Sequence, residues 1–363
     1  MKISAAVSRK SHEFPVLEEV ELGAPLADEI LVRIVACGIC RTDLDVQAGI
    51  ARAPRPIVLG HEGAGIVEAV GESVTTLKTG DHVVLSGSSC GHCRNCTRDL
   101  PSYCESTMRR NFGGLRADGS TYLTAGASRV FGHFFGQSSF AQFAITEARS
   151  AVKVPSDLPL PTLAPLGCGV STGAGAVFNA FAASGDDTLA VFGVGAVGLS
   201  AVMAAKILGL KRIVAVDRIE ARLQLALELG ASDIVDAAKS DVSKNLHALC
   251  PGGFDFALNT TTSAEALTSA VGCLAMRGVA GFVAAPHEPW SVPAPFLLEG
   301  GRTLRAILGS DSSPQKLLPR LIEHHRAGKF PLERLIAFYP FANIEEAMSD
   351  LAAGRVVKPV LLM

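Results

Sequence analysis

The sequence is short of aromatic polar surface and of any excess charge, with one tryptophan, three tyrosines and a net charge of −2 at pH 7. Its 33 Lys and Arg against 35 Asp and Glu give no general electrostatic attraction toward nucleic acid or an anionic membrane. A basic stripe interleaved with aromatics, the footprint of a nucleic-acid interface, is also missing. No apolar run reaches membrane-spanning length without Gly, Pro or charge, so no transmembrane helix is expected. The opening MKISAAVSRKSHEF lacks an apolar core long enough for a signal peptide. The cytoplasm is therefore the expected location. The nine cysteines then have to be reduced thiols or metal ligands, not disulfides.

At 363 residues, 48% of them apolar, the chain predicts two globular domains with large cores. Its organising stretch is TLAVFGVGAVGLSAVMAAKILGLKRIVAVD, Thr188 to Asp217. Leu189 to Phe192 reads as a buried parallel strand, Leu199 to Leu210 as a helix, and Ile213 to Val216 as a second strand. In the GVGAVG between them, Gly193 makes the tight turn, Gly195 lets backbone approach a pyrophosphate, and Gly198 permits close helix–strand packing. Val194, Ala196 and Val197 fill the loop, and the helix start offers unpaired N–H groups to phosphate. Asp217 would accept hydrogen bonds from an adenosine ribose. A glycine-rich turn alone is weak, but here strand, loop, helix, second strand and terminal acid all stand in order. The pattern predicts dinucleotide binding.

Residues 1 to about 150 read as mostly β, with strands at Ile30 to Cys37, Ile57 to Leu59, Gly65 to Val70 and His82 to Leu85. Residues 105 to 130 show no period and predict a long loop. From Gly169 to about Leu308 strands and helices alternate, which predicts a doubly wound parallel sheet. The helix Ala221 to Leu229 closes on Gly230, and further strands fall at Ile234–Val235, Phe254 to Leu258, Val279 to Val283 and Leu304 to Leu308. A helix at Lys316 to Ala327 and a strand at Lys358 to Leu362 complete the chain.

Cys90, Cys93, Cys96 and Cys104 are spaced C-x2-C-x2-C-x7-C. Four thiolates at this spacing can wrap a tetrahedral zinc and close a lobe too poor in apolar residues to fold alone. An iron–sulfur cluster or plain buried thiols are the alternatives. Arg94, Asn95, Arg98 and Asp99 among them argue against apolar burial. A second group, Cys40, His61 and Cys168, offers two thiols and an imidazole, enough for a three-ligand zinc with an open fourth position. Asp43 is the nearest candidate to orient His61 through its other nitrogen. Spacing does not tie Cys168 to Cys40, and each residue taken singly also reads as a buried thiol like Cys37 or a histidine in a turn.

GICRTD, GHEGAG, the four-cysteine lobe, GCGVSTG, GVGAVG and Asp217 follow one another in the order of the zinc-dependent medium-chain alcohol dehydrogenases, which this chain resembles over nearly its whole length. HFFGQSSFA, PLGCG and HRAGKFP look most like the aryl-alcohol, benzyl-alcohol and geraniol dehydrogenase branch. The resemblance implies an α/β fold: a GroES-like β-rich catalytic domain (1–169 and 309–363) with a Rossmann doubly wound parallel-sheet NAD-binding domain (170–308) inserted. It implies two zinc ions per chain, one catalytic on Cys40, His61 and Cys168, one structural on the four-cysteine lobe. Glu62 would sit behind the catalytic zinc, and Thr42 would hydrogen-bond the substrate hydroxyl and begin proton removal. Arg41 would contact the cofactor pyrophosphate, Arg222 would lie by the adenosine ribose, and Thr172 would face the nicotinamide. Many relatives complete the proton relay with a histidine where this chain has Asp45, which leaves the proton's exit open.

The expected reaction is the NAD-dependent interconversion of primary aromatic or allylic (terpenoid) alcohols and aldehydes. Phe134 and Phe135 would line the pocket near zinc, Val283 to Ala285 (with Ala284 between) its far wall, and Ser86 would leave room where some relatives have phenylalanine. Asp217 would repel a 2′-phosphate and so favour NAD over NADP, with Arg218 as partial compensation. Two other substrate classes, a polyol or S-hydroxymethylglutathione, would need polar groups at the rim, and Arg109, Arg110 and Arg116 are the one cluster that could serve. A non-catalytic cofactor-binding relative is disfavoured by the intact Cys40, Thr42, His61 and Cys168. A zinc-ribbon interaction module is disfavoured by the charge balance. A small-molecule alcohol or aldehyde is the expected partner, with no nucleic acid or membrane. The segment after Cys104 resembles that of dimeric relatives, so a homodimer is expected, a tetramer being the alternative.

Overall fold

The computed structural model describes residues 1–363, and the chain divides into two units. One comprises Met1–Cys168, Ser313–Arg320 and Pro331–Met363; the other comprises Gly169–Ser312 and Leu321–Phe330. Residues 309–363 are thus shared, not wholly part of the first unit as expected. The helix Pro314–Arg326 contributes to both. Lys316 near its start pairs with Asp99 of the first unit, and His324 near its end packs against Phe178 of the second. No helix is long and apolar enough to cross a membrane.

The first unit holds two sheets around one apolar core. The larger runs in the order Ala151–Lys153, His82–Leu85, Glu62–Val70, Glu29–Gly38, Lys358–Leu362, Ile336–Pro340, with Phe143–Glu147 also pairing on Glu29–Gly38. The smaller runs Ile57–Val58, Lys2–Ser8, Val16–Leu22, Leu123–Ala125, Ser128–Val130. Lys2–Ser8 and Val16–Leu22 went unread in the sequence. VLEEVEL buries only Val20 and Leu22, so its charges mask the period of two.

The expected long loop over 105 to 130 is not one. It folds into a helix, Thr107–Phe112, and the hairpin strands Leu123–Ala125 and Ser128–Val130. Six helical residues make less than two turns, and three-residue strands show no alternation, so periodicity could not find them. Long-range bonds hold them instead. Asn111 accepts from the Ser88 N–H and donates to the Ser88 carbonyl. Arg116 makes a two-pronged ion pair with Glu29, both side chains nearly out of solvent.

The second unit is a six-stranded, fully parallel sheet. Its order is Asp233–Asp236, Arg212–Asp217, Thr188–Phe192, Phe254–Asn259, Leu274–Phe282, Thr303–Ala306. The central strands Thr188–Phe192 and Arg212–Asp217 are near-continuous apolar runs with successive residues buried, as a sheet covered on both faces requires. The order reverses direction at Thr188–Phe192, the point outside whose carboxyl end such sheets bind ligands. The helix following it, Ala196–Leu208, begins inside GVGAVG, three residues earlier than expected, and ends on Gly209 at φ +71. The last strand stops at Ala306, leaving Leu308 half exposed.

Candidate functional site

Cys40 ends the strand-to-helix turn after Glu29–Gly38 and is the N-cap of the helix Arg41–Gln47. Asp43, in the first turn of that helix, uses both carboxylate oxygens. One accepts from the Cys40 N–H (2.9 Å), the other from the Gly60 N–H (3.1 Å) and faces His61 Nδ1 at 3.1 Å. A ring fixed at Nδ1 presents Nε2, and His61 Nε2 is buried with no hydrogen-bond partner. The ligand atoms of Cys40, His61, Glu62 and Cys168 all lie within 4.8 Å of one another. The structure therefore joins Cys168 to Cys40, which sequence spacing could not.

The electrostatics of this group suit a cation. The Cys168 thiol, and then His61, hold Cys40 well below the usual thiol range against the effect of burial. Cys168 is pushed well above that range by Cys40 and by burial, so one thiolate suppresses the other until a positive charge arrives. Burial alone would lower His61, but Asp43 and then Cys40 raise it. An orphaned imidazole nitrogen aimed at two thiols is the donor set of a three-ligand zinc with one open position. Thr42 Oγ1 stands 3.8 Å from Cys40 Sγ and is half-buried.

Glu62, a member of this group, is fully buried, and Lys358 Nζ donates to both its oxygens (2.8 and 2.9 Å) and to the Ile39 carbonyl (3.0 Å). Sequence reading missed Lys358; the only signal was a lysine opening an otherwise apolar strand, KPVLL. Asp45 is half-buried and paired with Arg41. Its Oδ1 accepts from Arg41 Nε at 2.9 Å, one helical turn away.

The four lobe cysteines also converge within 4.8 Å. Sulfurs around a tetrahedral ion with bonds of about 2.3 Å stand about 3.8 Å apart. Here Cys93 and Cys96 are 3.5 Å apart, and Cys90 and Cys96 3.9 Å. The Cys90 N–H donates to Cys104 Sγ and the Cys93 N–H to Cys90 Sγ, bonds that favour thiolates. All four positions are taken by sulfur, so this site closes a lobe and leaves no room for substrate.

In the second unit Gly193 adopts φ +82, and a Cβ on Gly198 would strike the Gly193 carbonyl. Gly195 faces open space, with only Arg222 Nη1 4.0 Å from where a Cβ would stand. That bare cradle at a helix start fits a diphosphate. Asp217 accepts from the N–H groups of Val194 (2.7 Å), Arg218 (2.7 Å) and Ile219 (3.0 Å), so it shapes the loop as well as ending the strand. Val194 is buried, Ala196, Val197 and Arg222 half-buried, and Arg218 exposed. Thr172 lies half-buried in the helix Gly169–Gly175.

Phe135 stacks on the His61 ring at 4.4 Å and 24°, with its backbone at φ +50. Phe134 is fully buried and meets His61 edge-on at 5.5 Å. Phe112, which sequence reading had placed in a loop, packs edge-on against both. Ser86 is buried and donates to the Ser150 carbonyl. Val283 and Ala284 are half-buried at the end of Leu274–Phe282 in the second unit. Arg109, Arg110 and Arg116 do not form a free cationic cluster: Arg109 donates to the Ala117 carbonyl, Arg110 pairs with Glu147 and Arg116 with Glu29.

Comparison with known proteins agrees over the full length. Residues 26–156 match the alcohol dehydrogenase GroES-like domain, and residues 196–323 match the zinc-binding dehydrogenase domain. Geraniol dehydrogenase of Castellaniella defragrans is 46% identical over 362 residues, covering 99% of this chain and 97% of that protein. Among solved structures, an alcohol dehydrogenase zinc-binding domain protein of Burkholderia ambifaria is 44% identical with a TM-score of 0.97, covering 100% of this chain and 99% of its own. Benzyl alcohol dehydrogenase of Acinetobacter calcoaceticus is 40% identical with a TM-score of 0.96, again over 100% and 99%. The chain belongs to the zinc-dependent medium-chain alcohol dehydrogenases.

Proposed function

We propose that this chain oxidises primary aromatic or allylic alcohols, and reduces the matching aldehydes, with NAD and a catalytic zinc held by Cys40, His61 and Cys168. The observation that carries the reading is the buried, unpartnered His61 Nε2 facing two thiols, with the Phe135 ring stacked on the same imidazole. Zinc there would supply Lewis-acid polarisation of the alcohol oxygen, and the nicotinamide would accept the hydride. Asp43 engages His61 at Nδ1, which leaves Nε2 as the atom presented to the thiols. Thr42, whose Oγ1 stands 3.8 Å from Cys40 Sγ, accepts the alcohol's proton in a hydrogen bond. Because Asp45 is tied to Arg41, the proton passes from Thr42 to solvent and not through Asp45. A second zinc on Cys90, Cys93, Cys96 and Cys104 is structural, and the assembly is a homodimer.

The aromatic walls favour a flat, conjugated group, whose allylic or benzylic C–H bond is also weaker than that of ethanol. Similarity to proteins named geraniol and benzyl alcohol dehydrogenase supports the same class. A polyol or glutathione adduct is disfavoured because Arg110 and Arg116 are already paired with Glu147 and Glu29. The test is NAD reduction followed by absorbance with benzyl alcohol, cinnamyl alcohol, geraniol and ethanol. Conjugated substrates should exceed ethanol in kcat/KM by at least about 10²-fold, roughly 2.7 kcal/mol of differential transition-state binding. Chelator should abolish all turnover. A better rate on ethanol, sorbitol or S-hydroxymethylglutathione would refute the pocket assignment.

A further inference from the structure

Gln137 is fully buried, three residues beyond Phe134, and spends its whole hydrogen-bonding capacity on backbone and one hydroxyl. Its Nε2 donates to the His61 carbonyl (3.1 Å) and the Ser86 carbonyl (3.2 Å). Its Oε1 accepts from the Gly63 N–H (3.1 Å) and from Ser139 Oγ (2.7 Å). The orientation of the amide is forced, since carbonyls cannot donate and a backbone N–H cannot accept. His61 O and Gly63 N flank Glu62 on the same chain edge, so one side chain stands where a neighbouring strand's peptide would. The true partner strand, His82–Leu85, pairs with Ala64 to Ile66 and stops short of this point. Gly63 has room for none of its own side chain: a Cβ there would run into Ser139 and Gln137 Oε1.

The same residue closes the turn that carries the aromatic pocket. The Gln137 N–H donates to the Phe134 carbonyl, and its own carbonyl accepts from Tyr122 OH at 3.0 Å. Within this turn Phe135, Gly136 and Ser138 all have positive φ. Non-glycine residues persist in that region only where their surroundings over-determine it. Ser138 Oγ assists, accepting from the Phe134 N–H and donating to the Val58 carbonyl. Asp43 holds the His61 ring from one side; Gln137 holds its peptide from the other.

We propose that Gln137 is a positioning residue for His61, and that it couples this metal ligand to the turn presenting Phe135. The proposal rests on Cys40, His61 and Cys168 holding the metal, not on which alcohol is oxidised. Partners that orient metal ligands typically cost 10–100-fold in affinity or activity when removed. Gln137→Met keeps length and volume but makes none of the four bonds. Ser139→Ala removes a single donor and tests the same bracket mildly.

The experiment replaces the catalytic-site zinc by Co(II) in the full-length protein and records its visible spectrum. It also measures metal loss to a chelator, and kcat and KM with NAD and benzyl alcohol. In Gln137→Met the Co(II) bands should shift, metal loss should speed up about tenfold, and kcat should fall by about 10-fold or more. KM for benzyl alcohol should rise as well, because Phe135 is released with His61. Ser139→Ala should move each quantity in the same direction by a smaller factor. If Gln137→Met does not fold, Ser139→Ala decides alone. Wild-type Co(II) spectra and chelation rates in the folded variants would overturn the proposal, whatever their melting temperatures. A wild-type protein that takes no Co(II) on Cys40 and Cys168 would sink the metal reading itself, and this proposal with it.

Discussion

Lys358 and Glu62 show what a single buried contact does at this site. Removing one member of a buried ion pair strands the other charge and costs about 3–5 kcal/mol, more than the pair itself contributes. Lys358→Met should therefore destabilise the protein by about that amount in denaturant unfolding, and Lys358→Met with Glu62→Gln should recover part of it. A loss below about 1 kcal/mol in the single variant would mean that Glu62 finds another partner. Arg41 and Asp45 are the opposite case. A largely exposed i,i+4 pair contributes about 0.3–0.5 kcal/mol to stability, so Asp45 matters for where it holds Arg41. Asp45→Ala should weaken NAD binding several-fold in titration calorimetry and leave the pH profile of kcat unchanged; a moved profile with intact NAD affinity would restore Asp45 to the proton path. Asp217→Ser should shift preference toward NADP, yet also weaken NAD, because the Val194, Arg218 and Ile219 N–H groups lose their acceptor. Kinetics with both cofactors check this, and an unchanged ratio refutes it. The lobe cysteines were legible in the sequence because four thiols stand out at short spacing, whereas Cys40 and His61 were singled out only by the family resemblance. Lys358 and Gln137 were not, since their partners lie 296 and 76 residues away and neither residue type announces itself.

The central strands of the second unit were legible because they are apolar runs bounded by turn residues, while the helices Val242–Leu249, Ala264–Gly272 and Ala294–Gly300 were not read. Thr188–Phe192, Arg212–Asp217 and Phe254–Asn259 fall within a residue or so of where the pattern puts them. The helix Thr107–Phe112 and its hairpin were illegible, because distant bonds and not local period create them. The four-cysteine lobe is the extreme of that kind. Its pieces are the three-residue turns Cys96–Arg98 and Pro101–Tyr103, neither with a buried residue. Such a segment has almost no apolar driving force, so metal binding becomes folding free energy. Cys93→Ser should lower the melting temperature and the zinc content by one ion per chain. Cys168→Ser should also lose one zinc but keep its melting temperature near wild type and lose turnover. Metal analysis beside calorimetry separates the two, and a Cys93→Ser protein with both ions and normal stability would refute the lobe assignment.

At the scale of the whole molecule, the strand Thr303–Ala306 ends the parallel sheet with one edge unpaired. Bare strand edges invite another strand, and elsewhere in the same unit Met276, Val292 and Leu298 are exposed, at 68%, 50% and 84%. The homodimer is expected to form here. Light scattering of Leu298→Glu should show monomer or a much weaker dimer; an unchanged dimer would place the interface elsewhere. The chain's discontinuity bears also on how the protein is made. Cys40, His61 and the lobe cysteines are translated early, but the lysine that neutralises Glu62 is added 296 residues later. The strand that carries it, Lys358–Leu362, slots between Glu29–Gly38 and Ile336–Pro340. Domains usually fold in the order they leave the ribosome. Here the first-made half has to wait, its sheet unfinished and its thiols uncovered, while the intervening unit is synthesised. Nascent chains should therefore be most open to oxidation and mismetallation during that interval, and ribosome-bound intermediates stalled before Lys358 should label readily with thiol reagents at Cys40.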